Sequence, residues 1–124
     1  MRGRGGQRAA PMSAPAIDFA HLARQTAGDA RLEREVLGLF MTELSAASVA
    51  LASEHTDSQA RRALAHRLVG AARAVGAFSL ADSAAAVEIS PHSAVAARSL
   101  LSQLDELHDV VAGLLAKPGR KPLG

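Results

Sequence analysis

The chain has 124 residues, 48% of them hydrophobic and 2% aromatic, with no Trp, Tyr or Cys. That length suggests one domain with a core of Leu, Val and Ala, and the missing cysteine excludes disulfides, a redox pair and thiolate metal sites. The formal net charge of +2 is unevenly spread: residues 17–116 carry all 12 acids against eight bases, a net −4, and the remaining six bases lie in the two ends.

A mildly acidic body argues against nucleic acid, which usually requires a broad basic stripe interleaved with aromatics. No apolar run reaches the ~18 residues of a membrane span, and the N-terminus lacks the apolar core of a secretory signal. A soluble, cytoplasmic protein with no membrane association is expected. Alanine and leucine favour helix, and no alternating strand pattern of useful length competes. The fold class is therefore expected to be all-α.

Residues 1–16 mix Gly and Pro with Arg2, Arg4 and Arg8 and read as a disordered basic tail. Asp18 can cap a short first helix to about Gln25. Gly28 breaks the chain, and Asp29 caps a second helix to about Ser53. The stripe of that helix is Leu32, Val36, Phe40, Leu44, Ala47 and Leu51, spaced by fours and threes, widened by Leu37, Met41 and Ser48. Glu33-Arg34-Glu35 reads as ordinary solvated surface.

A turn at 55–57 precedes a third helix over 58–75, capped by Thr56 or Asp57 and stopped by Gly76. Phe78 to about Ile89 forms a fourth helix with Leu80, Ala84 and Val87 inward. Ser90 is the expected N-cap of the last helix, with Pro91 at its first position. That helix runs to about Ala116 and carries Leu100, Leu104, Leu107, Val111 and Leu114 on one face. Residues 117–124, with Lys117, Arg120 and Lys121, read as a basic C-terminal tail. Four main helices with short connections imply an antiparallel up-down-up-down four-helix bundle over 17–116, one end capped by the short first helix.

The third helix has two unlike faces. At 100° per residue, Leu68, Ala71 and Val75 fall within about 40° of Leu64 and form a core-facing stripe. His66 lies about 200° from Leu64, with Arg62, Arg73 and Gly70 each within about 40° of it. A histidine thus stands out to solvent between arginines, beside a residue without a side chain, and packing does not require that. A neutral imidazole nitrogen is a usable nucleophile and can carry a phosphoryl group, whose transfer needs positioning and charge neutralisation. Arg62, Arg67 and Arg73 could supply positive charge, and Gly70 could leave clearance for a partner. An unselected surface histidine more often has no role, a helix glycine can be merely tolerated, and each arginine can equally be solvated surface.

The run Ala65-His66-Arg67-Leu68-Val69-Gly70, continuing through Arg73 to Gly76-Ala77, resembles the histidine-containing phosphotransfer (HPt) domain motif. That family reads His-x-Leu-Lys-Gly followed by small residues to a second glycine, and His66, Leu68, Gly70 and Gly76 match it by position. The resemblance extends over about 17–116, because the family fold is also a helical bundle with its histidine exposed. It implies that His66 is the phosphorylation site and exchanges a phosphoryl group with the aspartates of response-regulator receiver domains, within a phosphorelay that can include a hybrid histidine kinase. It also implies that Nε2 is the attacking atom. The partner receiver would bring the acidic pocket and Mg²⁺, so the chain needs no cofactor of its own. One position departs: the family usually has lysine three residues after the histidine, and here Val69 stands. The alternative reading is therefore a helical module that docks receivers without transferring phosphate.

His21, His55, His92 and His108 have no carboxylate or second histidine at convincing metal-ligand spacing, so no metal site is expected. No Gly-rich phosphate loop with a Lys-Ser/Thr ending is present, so ATP binding and kinase activity are not expected. The chain reads as a carrier rather than an enzyme, and as a monomer with an open docking face.

Overall fold

The computed structural model describes residues 16–117. Within them lie five helices and no strand: α1 (Phe19–Gln25), α2 (Ala30–Ala52), α3 (Ser58–Val75), α4 (Phe78–Ile89) and α5 (Ala94–Ala116). Both terminal tails expected from the sequence fall outside this range, apart from Ala16 and Lys117. At 1.5 Å per residue, the 23-residue α2 and α5 are each about 34 Å long.

Side-chain caps set most of the helix starts. Asp18 accepts from the His21 amide, Asp29 from those of Arg31 and Leu32, and Asp57 from that of Ala60. Each satisfies an amide that the first helical turn leaves unpaired. The last helix departs from expectation. Ser93, not Ser90, caps α5 by accepting from the Ala96 amide, and the helix starts at Ala94. Pro91 is buried in the preceding turn, and its carbonyl accepts from Arg61 Nη1 at 3.0 Å. The Ser93 amide closes this turn by donating to the Ser90 carbonyl at 3.0 Å.

Around the core, α2 packs against α3 and α5, and α4 packs against the same two helices, so the four long helices close a ring; α1 lies against α3. Leu37, Phe40, Leu44, Ala47 and Leu51 of α2 meet Leu64, Ala65, Leu68, Ala72 and Val75 of α3 in the core, with Leu80, Ala81, Ala84 and Val87 of α4 and Leu100, Leu104, Leu107 and Val111 of α5. Two stripes differ from their sequence reading. Leu32 is 40% exposed, because steps of four rotate a stripe by about 40° each and carry it off the core by the first turn; Leu37 takes the inner place. On α3, Ala65 and Ala72 are buried and Ala71 only half-buried, since α3 must face both α2 and α4.

By length and composition α2 is also apolar enough to cross a membrane, although 28% of its most apolar stretch is buried in the bundle. Its five core residues account for part of that hydrophobicity, Val36, Met41 and Ala50 pack partly buried against the core, and Leu32, Leu39 and Val49 are exposed.

Candidate functional site

The site begins with the end of α3. Gly76 takes the left-handed conformation (φ +86°) that side chains other than glycine resist. The Ala77 amide then donates back to the Ala72 carbonyl at 2.8 Å. A Cβ on Gly76 would lie 2.8 Å from the Asp18 carbonyl oxygen, and the Gly76 carbonyl accepts from the Asp18 amide at 2.9 Å. So Gly76 stops α3 and also admits the start of α1. Ala77 alone separates it from α4, and the chain doubles back so that α4 lies along α3.

This reversal brings together two side chains 22 positions apart. His66 Nδ1 lies 2.7 Å from Glu88 Oε2. The imidazole is 75% exposed and the Glu88 side chain 33% exposed. A carboxylate only accepts hydrogen bonds, so Nδ1 carries the hydrogen, and in the neutral ring the lone pair is then on Nε2. The ring is thereby fixed at one nitrogen and open at the other. Sequence reasoning singled out His66 and missed Glu88. Its signal was nonetheless present: Glu88 is the only charged residue between Asp82 and His92, on the stretch that a tight reversal after Gly76 folds back towards His66.

The other expected site residues are all on the surface. Arg62, Arg67 and Arg73 are exposed, and none of their side chains makes a hydrogen bond or ion pair with the described residues. Arg61 instead serves the fold through the Pro91 carbonyl. Gly70 is exposed, and a Cβ there would meet nothing within 4 Å. The bundle therefore does not itself require glycine at 70. Val69 is half-buried and packs against the core, bringing no charge to the site.

Two of the other histidines have surroundings of their own. His21 packs edge-on against Phe78, with ring centroids 5.2 Å apart. His108 borders a shallow cleft with Ser45, Ser48, Asp105 and Asp109. Among the described residues no three His, Asp or Glu side chains are placed so that they could hold one metal ion. A recess between α1, α2 and α5, lined by Phe19, Leu37, Arg34 and Leu114 among others, shares no residue with the His66–Glu88 pair.

Compared with protein-family models, curated proteins and solved structures, the chain finds no match in any of the three.

Proposed function

We propose that the chain is a histidine phosphotransfer carrier, an up-down-up-down helical bundle that relays a phosphoryl group between receiver-domain aspartates through His66. The observation that carries this reading is the 75% exposed imidazole held through Nδ1 by Glu88 at 2.7 Å, with Nε2 free. In the forward step the Nε2 lone pair attacks the phosphorus of an aspartyl phosphate. The bond from phosphorus to the aspartyl oxygen breaks, and the aspartate leaves as a carboxylate. The ring gains positive charge as the Nε2–P bond forms, and the Glu88 carboxylate across Nδ1–H balances it. Transfer to a second receiver reverses these changes. The receiver supplies the acidic pocket and Mg²⁺, which neutralises phosphoryl charge when bound there. Exposed Arg62, Arg67 and Arg73 suit an acidic partner face, and Gly70 leaves room for it. The reading places the protein in the cytoplasm, with receiver domains or a hybrid histidine kinase as partners.

Val69 favours a second reading. With a half-buried apolar residue where the resembled family has lysine, the chain would dock receivers without efficient transfer. Incubation with phosphorylated receiver domains, with His66→Gln as control, separates the two. Acid-labile label on the wild type and none on His66→Gln is the expected result. Binding without label would leave the docking module and overturn the carrier.

A further inference from the structure

Two rungs join α3 to the far end of α4 and the turn after it. One is His66–Glu88, with the imidazole 75% and the Glu88 side chain 33% exposed. The other runs from Arg61 Nη1 to the Pro91 carbonyl at 3.0 Å and is part-buried. Arg61 stands five residues before His66, about 7.5 Å along the helix, and Pro91 three residues after Glu88. The rungs close one loop of chain, so the placement of one constrains the other.

The exposed rung is poorly suited to hold itself. Such a pair gains little and must order a long side chain against water. Glu88 is the last residue but one of a 12-residue helix with no side-chain cap at its start and no basic residue in its last turn. Isolated helices of about that length are marginal in water. Buried Val87 holds the inner face of the last turn, but Ile89 beyond it is 79% exposed. Backbone bonds already close this stretch locally, from the Ser90 amide to the Ala86 carbonyl at 2.9 Å and from the Ser93 amide to the Ser90 carbonyl at 3.0 Å. What the Arg61 bond adds is attachment to α3. Arg61 is half-buried, and its Nε is buried with no hydrogen-bond partner among the described residues, whereas buried polar atoms are ordinarily paired. Packing alone would be met at less cost by an apolar side chain.

We propose that Arg61 is a positioning residue. By fastening the turn at Pro91 to α3, it places Glu88 where the carboxylate meets His66 Nδ1, and so sets which ring nitrogen is free. A displacement of about an ångström at Glu88 would break that contact, because hydrogen bonds weaken steeply with length and angle. Arg61 acts through Glu88 and not by its charge, unlike the exposed Arg62, Arg67 and Arg73. Its effect on transfer rests on the carrier reading; its effect on the ring does not.

Nitrogen NMR of the imidazole, taken where the ring is neutral, reads the tautomer. Arg61→Met keeps the aliphatic bulk and removes the donors. Its Nδ1–H population should fall toward that of Glu88→Ala, which lacks the contact, and the nuclear Overhauser contact between the Glu88 side chain and the His66 ring should weaken with it. Arg61→Lys keeps a donor for the Pro91 carbonyl and should fall between Arg61→Met and wild type; it carries the test alone should Arg61→Met not fold. Adding Arg61→Met to Glu88→Ala should change the tautomer no further, since both act through one contact. Arg62→Met removes a neighbouring charge and Arg34→Ala loosens a different helix junction, and both should keep the wild-type tautomer. An unchanged tautomer in Arg61→Met, a further shift in the double variant, or an equal shift in Arg62→Met or Arg34→Ala overturns the proposal. Phosphoryl transfer in Arg61→Met should slow, by no more than in Glu88→Ala. A shifted tautomer in a chain that takes up no phosphoryl group would uphold the positioning role and remove the carrier reading alone.

Discussion

Glu88 of α4 holds His66 of α3 by its Nδ1, at 2.7 Å. So exposed a pair contributes little to stability, about 0–1 kcal/mol, and its effect is on the state of the ring. Glu88→Ala should leave the fold intact and release the tautomer, with Nε2–H gaining population at the expense of Nδ1–H. Nitrogen NMR of the imidazole reads this directly. Phosphoryl transfer from a receiver should slow roughly tenfold to a hundredfold, about 1.4–2.7 kcal/mol of barrier. Glu88→Gln, whose amide oxygen still accepts from Nδ1–H, should fall between the two. Wild-type rates in Glu88→Ala would mean that the contact has no part in transfer.

The two glycines flanking the second half of this helical region separate fold from function. Gly76→Ala forces a side chain into a left-handed backbone and against the Asp18 carbonyl 2.8 Å away. It should destabilise by about 2–4 kcal/mol and visibly lower the melting temperature. Gly70→Ala meets nothing within 4 Å and removes backbone freedom from the unfolded chain. It should stabilise by about 0.5–1 kcal/mol. If Gly70 provides clearance, Gly70→Leu should fold well yet lose receiver binding. Retained binding in Gly70→Leu would show that the position tolerates bulk.

These contrasts follow the division between what local sequence announces and what only tertiary contact decides. Asp18, Asp29 and Asp57 mark helix starts through one side-chain oxygen each, and Gly76 marks a stop through its φ, so most boundaries were legible. The 90–93 region was not, because Ser90 and Ser93 are equally good caps and the Arg61–Pro91 bond, formed across 30 positions, is invisible to local sequence. His66 was legible because helical periodicity put it opposite Leu64. Glu88 was not, because periodicity within one helix says nothing about its neighbour's register.

Position 69 tests whether charge is missing from the site. Val69 is half-buried, so Val69→Lys can lay its aliphatic stem where the valine packs and send the ammonium outward. The cost in stability should be about 1 kcal/mol or less. The carrier reading expects faster transfer from phosphorylated receivers in this variant. It also expects weaker, less salt-sensitive association when Arg62, Arg67 or Arg73 is replaced by alanine, with the largest loss marking the arginine that stands in for the lysine. Unchanged salt dependence in all three alanine variants would return them to ordinary surface.

Arg34, which the sequence presents as plain solvated surface between two glutamates, ties α2 to the end of α5. Its guanidinium donates to the carbonyls of Leu115 at 2.7 Å, Lys117 at 3.2 Å and Leu114 at 3.5 Å. These are the carbonyls that a helix C-terminus leaves unpaired, and a cation there also meets the negative end of the helix dipole. Arg34→Ala should therefore destabilise by about 1–2 kcal/mol. The loss should appear first as faster amide exchange over the last turn of α5, leaving the His66 helix protected. Arg34→Lys should recover only part, since an ammonium cannot spread its donors across three carbonyls as the guanidinium fork does. Exchange accelerated equally in α3 would mean that Arg34 supports the bundle as a whole rather than this helix end.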